Sequence, residues 1–210
     1  MKLVYRGAEA DIFSDEWAGE QAIFKFRKPL PYRHPELDAE IRAQRTIHEA
    51  EILHDAKSAG VSTPSLYYVS QRESLIVMQE IQGARLKSFL ESPRGDRTRV
   101  STEFGSAVGR LHLGGIMHGD LTTSNVLVDG ADGVRLIDFG LATHSIKVED
   151  HAVDLRLIKE TLIGAHSEIA SRVMSSFMKG YTGEVGEARA KAVGRKLLEI
   201  ERRGRYARLE

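Results

Sequence analysis

Two carboxylates and one amide stand at spacings that suit chemistry on phosphate. Asp120 and Asn125 lie in His118-Gly119-Asp120-Leu121-Thr122-Thr123-Ser124-Asn125, and Asp138 opens Asp138-Phe139-Gly140. Between them, Asn125–Val128 and Val134–Ile137 read as the two strands of a hairpin around a turn rich in Asp and Gly. Such a hairpin brings Asn125 and Asp138 to one open end. Phosphoryl transfer needs this kind of set. One carboxylate orients the nucleophile or takes its proton, and a second carboxylate with an amide oxygen holds Mg2+, a hard ion that prefers oxygen ligands. Each Asp alone reads as an ordinary turn residue.

The elements that must position these groups follow from hydrophobic period and turn residues. Leu3–Tyr5, Asp11–Phe13 and Gln21–Phe26 read as strands. Strand alternation places Lys25 and Arg27 on one face and Phe24 and Phe26 on the other, so the two cations alone would be a solvated strand edge. Pro29, Pro31 and Pro35 interrupt regular structure, and 37–59 turns helical, with Ala39, Ala43, Ile47, Ala50 and Leu53 at steps of three and four. Strands over 65–69 and 74–81 follow. The first part is thus a small, mostly antiparallel sheet with one helix. Beyond Gly83 come a short helix at 86–90, a longer one carrying Val100, Phe104, Ala107 and Leu111, the hairpin, and helices over 150–162, 167–178 and 187–202. The fold class is α+β, with an N-lobe over 1–82, a helical C-lobe over 83–201 and a basic tail over 202–210. Trp17 falls in a polar loop.

Composition bounds the function. The chain has 210 residues, with 30 Lys+Arg against 30 Asp+Glu, so it is no bulk polyelectrolyte binder of nucleic acid. The balance hides an asymmetry: residues 191–210 carry seven cations against three acids, a net +4. Usually such a run is a solvated helix face. With no cysteine, disulfides and thiolate metal sites are excluded, and the eight histidines show no metal-ligand spacing. Neither a signal-peptide pattern nor an apolar run of membrane-spanning length is present, and a cytoplasmic protein is expected.

The His118-Gly119-Asp120…Asn125 run with Asp138-Phe139-Gly140 resembles the catalytic loop and metal-binding triplet of the protein-kinase superfamily. That resemblance implies ATP and Mg2+, with Asp120 as catalytic residue and Asn125 and Asp138 as metal ligands. It implies Lys25 on the third strand as phosphate ligand and Glu49 on the following helix as its ion-pair partner. On residues alone, Arg45 could claim Glu49 as a surface pair, and Glu51 or Glu40 could stand in for it. The resemblance further implies that Gly7-Ala8-Glu9-Ala10 covers phosphates through backbone N–H groups and that Glu80 and Ile81 form the hinge facing adenine. His118 and Asp154 read as braces of the catalytic loop.

Four departures narrow the relationship. No G-x-G-x-x-G is present, Gly119 replaces an arginine, Thr122 replaces a lysine, and Asp154 follows too soon for a long activation segment. Together with Tyr32-Arg33-His34-Pro35-Glu36-Leu37-Asp38, Arg45-Thr46-Ile47-His48-Glu49-Ala50 and Arg202-Arg203-Gly204-Arg205, these look like the small atypical kinase/ATPase subunit of the KEOPS (EKC) complex. The resemblance implies a part in threonylcarbamoyl adenosine formation on tRNA. It implies a threonylcarbamoyltransferase subunit bound to the C-lobe and tail and a second subunit on the N-lobe. It also implies tRNA contact through Arg202, Arg203, Arg205 and Arg208. Two rivals stand beside it: a small-molecule phosphotransferase of the aminoglycoside or choline type, and a pseudokinase scaffold.

Overall fold

The computed structural model describes residues 1–130 and 133–206. The chain divides into two compact units, one of Met1–His54 with Pro64–Ile81, the other of Asp55–Thr63 with Gln82–Glu210.

In the first unit the strands β1 (Lys2–Arg6), β2 (Ala10–Trp17) and β3 (Glu20–Arg27) precede the helix α1 (Pro35–Ser58), and β4 (Leu66–Ser70) and β5 (Leu75–Gln79) follow it. They form one antiparallel sheet in the order β1-β2-β3-β5-β4. Alternation sorts β3 as its sequence predicts. Ala22 and Phe24 join Leu75 and Val77 in an apolar cluster, against which Phe13, Trp17, Phe26 and Tyr67 pack. Trp17 is therefore not in a loop. It closes β2, with its ring 5.4 Å from Tyr68 and 6.0 Å from Phe24. An indole that covers a sheet end removes more apolar surface from water than a loop position would.

The opposite face of β3 decides how α1 is built. Proline suits the first turn of the helix, where its missing N–H is no loss. The apolar residues expected inward are only partly so: Ala39 is exposed, and Ala43 and Ile47 are half-buried. The face covered from Asp38 to Glu49 is polar instead, with Asp38 and Glu49 buried and Arg42 and Arg45 half-buried. The physical reason is β3, which buries Lys25 and Arg27; a helix that covers cations must answer with carboxylates. Ile52, Leu53 and Ala56 restore an apolar face further on.

The second unit holds β6 (Gly83–Arg85), α2 (Leu86–Glu91), α3 (Arg97–Leu113), β7 (Ile116–Met117), β8 (Val126–Asp129), β9 (Val134–Leu136), β10 (Thr143–His144), α4 (Val148–Ala165), α5 (Ser167–Val185) and α6 (Glu187–Tyr206). Segment 55–63 belongs here because the Gly60 carbonyl accepts Arg110 Nε at 3.0 Å and the Ser62 carbonyl accepts the Leu136 N–H at 3.0 Å. Asp96 caps α3 by accepting the Arg99 N–H at 3.0 Å. Phe104 and Phe177 meet edge to face at 5.0 Å in the core between α3 and α5. Gly105 and Gly180 let these helices approach closely: a Cβ on either would run into a backbone carbonyl, that of Phe177 or of Thr102. Only residues 141–147 separate Gly140 from α4, so a long activation segment is absent, and β10 pairs with β7 in that short stretch.

Candidate active site

In the first unit the lysine on β3 meets the helix. Lys25 Nζ donates to Glu49 Oε1 at 2.6 Å, with the two side chains 8% and 1% exposed. The second carboxylate oxygen of Glu49 accepts Arg27 Nη2. A buried carboxylate held by two cations is locked in place, since a low dielectric makes breaking either contact costly. Arg45, the rival on the same helix, pairs with Glu9 instead. Glu51 is exposed, and Glu40 bonds Gln44 at 3.0 Å. Arg27 is the member that sequence reasoning took for a strand edge. The signal for it was its place two residues beyond Lys25 on one strand face.

The turn Gly7–Ala10 closes with the Gly7 N–H on the Ala10 carbonyl at 2.9 Å, so that donor is occupied. Ala8 is exposed, while Glu9 and Ala10 are half-buried. At the end of β5, the Glu80 N–H donates to the Gln21 carbonyl at 3.2 Å and Glu80 Oε2 accepts Ser14 Oγ at 2.6 Å. Ile81 follows half-buried and outside the strand, which ends at Gln79 rather than at Ile81.

In the second unit β8 and β9 pair as a hairpin with Val126 opposite Leu136. The Ile137 N–H continues the ladder onto the Asn125 carbonyl at 3.0 Å. Asn125 and Asp138 therefore flank one open end of the hairpin. Asn125 Nδ2 donates to the Asp120 carbonyl at 2.9 Å and to Asp120 Oδ2 at 2.8 Å. With both donors so used, the Asn125 side-chain oxygen is left as an acceptor. Asp138 is exposed and has φ +61°. A non-glycine residue there carries strain of the sort that collects at functional positions. A half-buried amide oxygen and an exposed carboxylate are hard oxygen donors that fit Mg2+.

Below the His118–Asn125 loop, Asp154 accepts the His118 N–H at 2.7 Å and the Gly119 N–H at 2.9 Å. This is the bracing expected of it. Its Oδ2 also lies 3.2 Å from His112 Nε2, and His112 Nδ1 meets the Tyr181 hydroxyl at 2.9 Å. Burial pushes the Tyr181 phenol far above its ordinary range. His118 is fully buried, and burial holds its imidazole below its ordinary pKa, although Asp154 and the Ile137 carbonyl, 3.2 Å from Nε2, act the other way; Nδ1 faces the Asp120 N–H at 3.4 Å. Gly119 has φ +77°, and a Cβ there would strike the Leu141 carbonyl. The glycine that departs from the usual arginine is thus demanded by this backbone path.

Arg202 and Arg203 lie on α6, exposed, with Arg203 3.7 Å from Glu149. The side chain of Arg205 and all of Arg208 lie outside the described residues. Among the described residues no helix is long and apolar enough to cross a membrane.

An antiparallel sheet with one helix and a largely helical second unit that carries the His118–Asn125 loop and the β8–β9 hairpin are the parts of a protein-kinase-like fold. The protein kinase domain model matches residues 28–179. Among solved structures, that of the Rio2 kinase-ADP/Mg2+-phosphoaspartate complex from Chaetomium thermophilum matches with a TM-score of 0.65 over 96% of this chain and 72% of that one, at 16% identity, a likeness of fold. Sequence similarity is much closer to the KEOPS complex subunit Bud32 of Pyrococcus abyssi, 41% identical over 98% of this chain and 96% of that protein. The EKC/KEOPS complex subunit BUD32 of Yarrowia lipolytica is 32% identical over 97% of this chain and 91% of its own. The chain belongs to the Bud32 family of protein-kinase-domain proteins. It also matches a probable bifunctional tRNA threonylcarbamoyladenosine biosynthesis protein of Methanothermobacter thermautotrophicus at 40% identity, spanning 97% of this chain but only 36% of that longer protein.

Proposed function

We propose that the protein transfers the γ-phosphoryl group of ATP, as an atypical Ser/Thr protein kinase and/or ATPase, in support of tRNA threonylcarbamoylation within a KEOPS-like assembly. The observation that carries the chemistry is the Asn125 amide, tied by its nitrogen to Asp120 and left with its oxygen as an acceptor beside the hairpin end that bears Asp138. Asp120 orients the attacking hydroxyl or water and accepts its proton as the bond to the γ-phosphorus forms; ADP leaves with the bridging oxygen. Asn125 and Asp138 are the residues that would hold Mg2+. When bound, the ion neutralises phosphate charge. Lys25, held by Glu49, neutralises the α- and β-phosphates, and the Gly7–Ala10 turn and the Glu80–Ile81 segment bracket the nucleotide.

The assembly reading rests on the names of relatives that span this chain nearly end to end. In it, a threonylcarbamoyltransferase subunit binds the second unit and the tail, a second subunit binds the first, and tRNA phosphates meet Arg202, Arg203, Arg205 and Arg208.

The test is turnover of radiolabelled ATP by the parent, Asp120→Ala and Asp138→Ala proteins, with and without a transferase subunit and tRNA. Losses of ~10²–10⁴ in rate are expected at temperatures where thermal melts show both variants folded. Parent-like turnover in both variants, or no Mg2+-dependent thermal shift with millimolar ATP, would overturn the reading and favour a scaffold.

A further inference from the structure

The charged residues of α1 facing the sheet are Asp38, Arg42, Arg45 and Glu49, at steps of four, three and four, which is one face of a helix. Asp38 accepts Arg42 at 2.7 Å, and Arg42 reaches Ser74 Oγ at 3.2 Å in the turn before β5. Glu49 holds Lys25 and Arg27. Between these contacts Arg45 reaches Glu9, in the Gly7–Ala10 turn. Arg33 joins from the loop before α1, 3.5 Å from Glu9 and 3.8 Å from Asp38. The same Glu9 has its carbonyl on the Lys28 N–H at 3.0 Å, just past β3. The turn is thus tied at its side chain to α1 and at its backbone to the strand bearing Lys25.

We propose that Glu9 is a positioning residue: through Arg45 and Arg33 it docks the β1–β2 turn on α1, so that the turn, Lys25 and Glu49 form one rigid platform for the phosphates of a nucleoside triphosphate. This rests on the reading of that turn as a phosphate cover. A glycine-rich loop covers phosphates by flexing; this turn has a single glycine, and its own N–H is spent on Ala10. Here an ion pair sets the geometry instead. The side chains of Glu9 and Arg45 are 41% and 40% exposed, so the pair adds little to stability, and its use lies in where it holds the turn.

The experiment measures KM and kcat for Mg-ATP in the parent, Glu9→Gln, Arg45→Ala, the double variant and the charge-swapped Glu9→Arg/Arg45→Glu protein, with thermal melts alongside. Glu9→Gln is expected to raise KM by about two- to fivefold with kcat and melting temperature near the parent's, and less so at high salt. The double variant should be no worse than the worse single, and the swap should recover part of the loss. An unchanged KM in Glu9→Gln, or single effects that multiply in the double, would overturn the proposal. Lys25→Ala and Asp138→Ala serve as controls. If they lose turnover while Glu9→Gln matches the parent, the positioning role alone falls; if they turn over ATP like the parent, the phosphoryl-transfer reading falls with it.

Discussion

Asn125 gives both of its amide contacts to Asp120, one to the carbonyl at 2.9 Å and one to the carboxylate at 2.8 Å. The amide nitrogen is therefore tied to Asp120 alone, at its backbone and at its side chain. Asn125→Asp would replace a donor with a second carboxylate at hydrogen-bond distance from Asp120. Two such groups cannot both ionise freely, and one stays protonated to higher pH. The acid limb of the pH–rate profile should move up by about one unit or more, with turnover reduced at pH 7. A profile superimposable on the parent's would refute the coupling.

Glu49 has two buried cationic partners, and Lys25 and Arg27 share one carboxylate. Removing the carboxylate takes the shared counter-charge from two buried cations, whereas removing either cation leaves the other paired with Glu49. Glu49→Ala should cost about 3–5 kcal/mol in urea unfolding, and Lys25→Ala or Arg27→Ala distinctly less. Arg27→Ala should lower stability more than it lowers turnover.

Asp138 sits at φ +61°. Glycine accepts that backbone and alanine does not. Asp138→Gly should therefore be more stable than Asp138→Ala by about 1–2 kcal/mol, while both lose Mg2+-dependent turnover. Equal melting temperatures for the two variants would show that the strain is relaxed elsewhere.

His151 is buried and stacks on His112 at 3.9 Å, and its ring nitrogens face the Ser145 carbonyl at 2.9 Å and the Arg189 guanidinium at 3.1 Å. One nitrogen must donate and the other accept, which demands the neutral ring. Burial first, then the neighbouring His112, lowers its pKa to about 4 from an ordinary 6.5. In the unfolded chain it takes a proton near 6.5, so stability is full above that pH and is lost as pH falls toward 4. His118 and His166 are also shifted down by burial and act in the same sense. Calorimetry from pH 7 to pH 4 should show a falling melting temperature, with a shallower slope in His151→Gln. An identical slope in that variant would place the effect on the other histidines.

Much of the site is legible because its chemistry is local. The hairpin follows from two short apolar strands around an Asp-Gly turn, and its register alone brings Asn125 and Asp138 to one end. Asp154 as a brace of His118 and Gly119 came from the resemblance to the kinase catalytic loop, and the structure has both contacts. Arg27 was not legible, because a cation beside a lysine on a strand looks solvated until a helix covers it. The placement of Trp17 failed for the same reason: its stacking partner, Tyr68, comes from a strand 51 positions away.

What the sequence by itself determined is the alternation of β3, the hairpin with its pair of ligand candidates, and the shortness of the stretch before α4. Those depend on period, turn chemistry and chain length, which neighbouring residues decide among themselves. Tertiary structure alone decided that Glu49 takes Lys25 and Arg27 while Arg45 takes Glu9. An ion pair's worth depends on burial, and burial belongs to the packed helix and sheet rather than to the chain.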